Sequence, residues 1–162
     1  MKTLLLVRHA KSSWDFNVDD FDRPLNHRGK NDAPEMAKRL IKRDLKIDQF
    51  VSSPANRAIS TATYFAEAYD KKAKHVLTFR DLYEPSLESF YEVVEKLDDD
   101  VKTVAIFSHN PGITAFANKL TSVTLDDMPT CAVFALKADI KKWKDFTTGE
   151  REFLFFDYPK AE

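Results

Sequence analysis

Two dipeptides in this chain set an imidazole at the end of an apolar run. Arg8-His9 closes "TLLLV", and Ser108-His109 closes "TVAIF". Arg57 follows "SSPAN", and Glu84 stands in "LYEPS". Two guanidinium forks and two imidazoles converging on one point make an anion site, because the fork matches phosphate geometry bidentately. Phosphoryl transfer depends on positioning and on neutralising the equatorial oxygens. A neutral histidine can serve as the in-line nucleophile, with water releasing the resulting phosphohistidine. A carboxylate must also protonate the leaving group and activate the water. Glu84 is the candidate, and that role requires a raised pKa.

These residues are useful only if the chain brings them together. Apolar positions recur three and four apart over about 30–44 and about 55–69, then from Leu87 to Leu97 and from Ile113 to Leu120, which predicts four amphipathic helices. Pro111 and Gly112 suit the start of the last one. Between them lie near-continuous apolar runs at 3–7, 49–53, 75–79 and 103–108. Such alternation predicts a mostly parallel sheet covered on both faces. "CAVFALKA" (131–138) and "EFLFFDY" (152–158) predict an antiparallel pair at its edge. Ligands of such sheets sit beyond the carboxyl ends of the strands. Arg8-His9, Ser52-Ser53 and Ser108-His109 all fall there.

The remaining composition excludes much. The chain has 162 residues, which fits one domain, 1–162. A formal net charge of −1 gives no general reason to bind nucleic acid or an anionic membrane. The single cysteine, Cys131, rules out an internal disulfide and a cysteine-cluster metal site; its apolar setting predicts a buried, unreactive residue. The opening "MKTLLLV" is broken by Arg8-His9 too early for a signal-peptide core, so a cytoplasmic location is expected. No G-x-S-x-G, G-x-x-x-x-G-K-[ST] or G-x-G-x-x-G occurs. Zinc is disfavoured, since the histidines lack H-E-x-x-H spacing and have arginine neighbours.

"LLLVRHAKSSW" resembles the signature of the histidine phosphatase superfamily, also called phosphoglycerate mutase-like. Arg8, His9 and Trp14 match it. Ala10 replaces the usual glycine, Ser12 replaces threonine, and Asp15 stands where asparagine is common. "PLNHRGKNDA", "SSPANRAISTA" and "FSHNPGI" resemble the later motifs, in order. Ala10, "DFDRPL", "HNPGI" and "MPTCAV" are more similar to the short SixA-type phosphohistidine phosphatases.

The resemblance implies a three-layer α/β/α fold whose mostly parallel sheet has an antiparallel edge. It implies that His9 accepts the phosphate, that Arg8, Arg57 and His109 bracket it, and that Ser12 adds a weaker contact. Asp15, in place of a neutral contact, would disfavour an anion if it pointed inward. Glu84 remains the candidate acid. No metal or organic cofactor is expected. The expected substrate is a phosphorylated protein, a histidine phosphorelay domain among the candidates. The alternatives are a small phosphoester, or a silent phosphoprotein-binding module. The short segment after the third strand leaves no room for a capping insertion, which favours a phosphate displayed on a protein. Trp14 is expected to be a packing anchor, and Arg23 to pair with a nearby aspartate.

Overall fold

The computed structural model describes residues 1–160. The strands are β1 (Lys2–Arg8), β2 (Gln49–Ser52), β3 (Val76–Thr78), β4 (Thr103–Ser108), β5 (Val133–Ala138) and β6 (Arg151–Asp157). The helices are α1 (His27–Lys42), α2 (Asn56–Ala68), α3 (Leu87–Glu95) and α4 (Gly112–Leu120). The sheet order is β3-β2-β4-β1-β5-β6. Strands β1 to β4 run parallel, and β5 and β6 pair antiparallel at one edge, as the alternation predicts.

The period-2 alternation of strand side chains sorts the core into two slabs. Leu4, Leu6, Val104, Ile106 and Phe134 face α3 and α4. Leu5, Val7, Ala105, Phe107 and Val133 face α1 and α2. Both faces of the central strands are therefore covered, which explains why β1 and β4 read as unbroken apolar runs.

Local chemistry sets the boundaries. The Asn26 side chain accepts from the Gly29 N–H, so α1 begins three residues before the apolar periodicity does. Asp44, at φ 58°, ends the chain's helical path after α1. Ser86 and Ser89 cap α3 reciprocally. Cys131 lies at φ 62° and is not extended, so β5 begins at Val133, two residues after the predicted start. Cys131 is buried, and burial pushes its thiol well above the ordinary range.

Phe107 ties a core slab to the rim. Its ring packs edge-on against Phe65 at 5.1 Å and stacks with Phe50 at 6.4 Å. It stands two residues before His109. Phe107→Ala is expected to lower unfolding free energy by about 3–5 kcal/mol, read by urea titration. A loss under about 1 kcal/mol would show that this aromatic cluster does not organise the α1/α2 slab.

Candidate active site

The parallel β1/β4 register pairs Val7 with Phe107 and Arg8 with Ser108, so both histidines leave the sheet at the same level. The His9 N–H donates to the Ser108 carbonyl at 3.1 Å. The two rings end with centroids 5.1 Å apart. From the other side, the Cys131 N–H donates to the carbonyls of Arg8 and His9, 3.0 Å to each. The left-handed turn at Cys131 thus clamps the backbone of the Arg8-His9 dipeptide. The Ala10 N–H donates to Thr61 Oγ1 at 2.9 Å, and that hydroxyl donates to the Arg57 carbonyl at 2.8 Å. Thr61 thereby couples the residue after His9 to the first turn of α2, which carries Arg57.

The tautomer of His9 follows from its partner. His9 Nδ1 lies 2.8 Å from the Ala10 carbonyl, which can only accept, so the proton is on Nδ1. Nε2 therefore carries a lone pair, and Arg57 Nε approaches it at 3.4 Å. Ser53 Oγ accepts from the Ala55 N–H at 3.2 Å and lies 2.8 Å from His109 Nε2.

His9, His109, Arg8, Ser12 and Arg57 all line one cavity of about 240 Å³. Four cations, Arg8, Lys11, Arg23 and Arg57, face one carboxylate there, Asp20. Three buried side-chain nitrogens among the described residues have no partner: Arg8 Nε, Arg23 Nη1 and His109 Nδ1. An unpaired buried polar nitrogen costs about 1–3 kcal/mol, and all three lie on residues that line this one cationic cavity.

Burial drives both imidazole pKa values down from the ordinary 6.5 to about 3, and the neighbouring charges of the cluster add to the effect. Against His9 these are His109, Arg57 and Arg8, opposed by the hydrogen bond to the Ala10 carbonyl; against His109 they are chiefly Arg57, then Arg8 and Arg23, opposed by the Asp20 carboxylate.

A second cavity of about 630 Å³ adjoins the first and shares Asp20, Arg57, His109 and Asn110 with it. Its further wall includes Tyr83, Glu84, Pro85, Leu87, Pro111 and Gly112. A side chain at Gly112 would meet the Pro85 carbonyl at 2.7 Å, so the start of α4 packs this closely only as glycine. The start of α4, Pro111 and Gly112, therefore borders the larger cavity and not the one that holds His9. Glu84 also stands on this larger wall, exposed and at φ 53°. Asp15 is exposed and lines neither cavity.

Trp14 corrects one expectation. It is 75% exposed and packs no core. It sits in an aspartate-rich stretch whose neighbouring apolar residues, Phe16 and Val18, are exposed as well, so no core forms there for it to anchor. Instead the Arg23 guanidinium lies over its ring, 3.4 Å from the centroid, and the indole lines the smaller cavity. Arg23 pairs with Asp20 at 3.2 Å, as expected, but it is itself buried in the cavity wall.

Asp20 is the site residue that the sequence reading missed. Its Oδ2 accepts from Arg57 Nη2 at 3.0 Å and from the Tyr83 hydroxyl at 2.7 Å, and its carbonyl accepts from Arg57 Nη1 at 2.6 Å. The available signal was an aspartate three residues before Arg23 in "DFDR".

A doubly covered sheet with two neutral imidazoles and a cationic pocket at its carboxyl rim defines an α/β protein that handles phosphate-like anions. The model of the histidine phosphatase superfamily (branch 1) matches residues 4–88, and the chain belongs to that superfamily. A phosphorylated compound is its substrate in general. An uncharacterized Mycobacterium tuberculosis protein is 27% identical over 165 residues, spanning 95% of this chain and 100% of that one. A protein histidine phosphatase SixA solved with tungstate superposes with a TM-score of 0.82 at 19% identity, covering 97% of each chain. A mycobacterial glucosyl-3-phosphoglycerate phosphatase solved with VO3 superposes with a TM-score of 0.75 at 16% identity, covering 98% of this chain and 100% of that one.

Among the described residues, no three His, Cys, Asp or Glu side chains cluster to hold a metal, and no helix is long and apolar enough to cross a membrane.

Both imidazoles are expected to remain neutral at pH 5 in the folded protein. Between about pH 6.5 and 3 the unfolded chain binds protons that the folded chain refuses. Stability conferred by these neutral rings is thus full above that window and falls as pH drops through it. Histidine side-chain NMR from pH 8 to 4.5 checks this, and titration of His9 or His109 near 6.5 would refute it.

Proposed function

We propose that this chain is a metal-independent phosphohistidine phosphatase that acts on phosphorylated proteins through a covalent intermediate on His9. One observation carries the reading: the lone pair of His9 Nε2 stands in a cavity where Arg8, Arg23 and His109 each hold a buried nitrogen without a partner.

His9 attacks phosphorus through Nε2, and the Ala10 carbonyl stabilises the charge that develops on the ring by holding Nδ1–H. Arg8, Arg57 and His109 donate to the equatorial oxygens, with Ser12 at the cavity wall. The bond from phosphorus to the leaving atom breaks. Water then attacks phosphorus, the N–P bond breaks, and its electron pair returns to Nε2. Arginine supplies the charge neutralisation that a divalent cation provides elsewhere.

Two features support a protein-borne phosphate. Only the short stretch from Phe79 to Ser86 connects β3 to α3, so nothing inserted there covers the larger cavity. Trp14, Phe16 and Val18 expose 75%, 58% and 46% of their surfaces in a single segment whose indole lines the phosphate cavity. Apolar side chains held out at a site's lip suit contact with a macromolecular surface. A small phosphoester remains the alternative, and the larger cavity is the observation that favours it.

Brief exposure to a phosphohistidine-bearing protein should leave acid-labile label on His9, with EDTA without effect. His9→Ala should abolish label and turnover, whereas Arg57→Ala should lower kcat/KM by about 10²–10³-fold. Undiminished phosphate release by His9→Ala would sink the mechanism. Higher kcat/KM on small phosphoesters than on any phosphoprotein would replace the substrate class.

A further inference from the structure

We propose that Asp20 is the proton donor to the leaving atom and, in the second half-reaction, the base that activates water. The assignment rests on the His9 reading above.

Position argues first. With phosphorus at His9 Nε2, the phosphoryl group fills the smaller cavity and the leaving group extends into the larger one. The breaking bond must then lie where the two meet. Asp20, Arg57, His109 and Asn110 line both cavities, and Asp20 is the only carboxylate among them. Glu84 lines the larger cavity alone.

Charge argues second. In the free protein both Nη atoms of Arg57 are committed to Asp20, one to its carboxylate and one to its carbonyl. Arg57 cannot fork a phosphate while it holds both. An arriving dianion competes for those nitrogens and also sets negative charge beside the carboxylate. Both changes favour protonated Asp20. Burial already pushes the Asp20 carboxyl upward, and it is the Tyr83 hydroxyl, Arg57 and Arg23 that outweigh burial and keep the group ionised. Substrate binding therefore converts an ion-pair partner into an acid, with the proton taken from solvent.

The steps balance. As the His9 Nε2–P bond forms and the P–leaving-atom bond breaks, the Asp20 proton moves to the leaving atom. As water oxygen attacks phosphorus and the N–P bond breaks, the Asp20 carboxylate takes the water proton. When phosphate departs, Asp20 loses that proton and Arg57 returns to it.

The test is the leaving-group dependence of kcat/KM, which reports the first chemical half-reaction. Asp20→Asn is expected to lose about 10²–10³-fold on an alkyl phosphate such as glycerol phosphate. It should lose less than about tenfold on 4-nitrophenyl phosphate, whose leaving group departs without a proton. Phosphoenzyme on His9 should accumulate with the nitrophenyl ester, because water is no longer activated. Asp20→Ser, checked with Asp20→Asn for native circular dichroism, should show the same split.

If Asp20 only holds Arg57, both substrates lose equally and no phosphoenzyme accumulates, which overturns the assignment. The same split in Glu84→Gln with Asp20→Asn unaffected also overturns it. Either result leaves the His9 reading intact. Turnover that survives His9→Ala removes that reading, and the assignment with it.

Discussion

The parallel pairing of β1 with β4 is the constraint from which the site follows. Ladder hydrogen bonds fix the strands' register, and a one-residue slip would send every side chain to the opposite face. In the observed register, Arg8 meets Ser108, and the His9 backbone bonds the Ser108 carbonyl. The backbone thereby brings two imidazoles a hundred residues apart in sequence to one level, with ring centroids 5.1 Å apart. The apolar side chains that set the register, Leu5 and Val7 on one face and Leu4 and Leu6 on the other, are fully buried. A core of ordinary aliphatic packing thus sets geometry for chemistry at its edge, and the site inherits the rigidity of the sheet rather than of a loop.

Burial at that edge has a further consequence. A histidine nucleophile needs its lone pair, and the pocket keeps both rings neutral by excluding water and by surrounding them with guanidinium charge. The same guanidinium charge that binds an anion also opposes protonation of the rings. In the proposed function, anion recognition and nucleophile readiness are thus one electrostatic arrangement. Its cost is visible as three buried nitrogens without partners, a local destabilisation that a bound anion would relieve.

How much of this was legible in the chain depended on the range of the interaction concerned. Strand and helix order was readable because burial on two faces leaves periodic apolar runs, as in "TLLLV" and "TVAIF". Arg8, His9 and His109 were readable as a group because they end two such runs, and Arg57 because it opens the helix after a third. Element ends were less accurate where one side chain or one dihedral decides them, as with the Asn26 cap before α1 and the left-handed Cys131 before β5. Asp20 was hidden for a different reason. It lies in a turn without periodicity among several aspartates, and only its contacts with Arg57 and Tyr83 single it out. Trp14 misled because a large aromatic beside a motif suggests a core, whereas its partner is the Arg23 cation.

The acidic turn that carries Asp20 also resolves a tension in the free pocket. Four cations lining one small cavity repel one another, and without an anion the cluster favours opening. Asp20 supplies an internal anion that draws Arg57 and Arg23 together and is itself held by the Tyr83 hydroxyl. A surrogate of this kind must be weaker than the true ligand, or the site would never exchange it. The geometry meets that condition, because a single carboxylate offers one negative charge and leaves Arg8 Nε, Arg23 Nη1 and His109 Nδ1 unpaired. A phosphoryl dianion offers twice the charge and three acceptor oxygens in tetrahedral array. In the proposed mechanism, the same carboxylate therefore keeps the empty pocket assembled and gives way when a phosphate arrives.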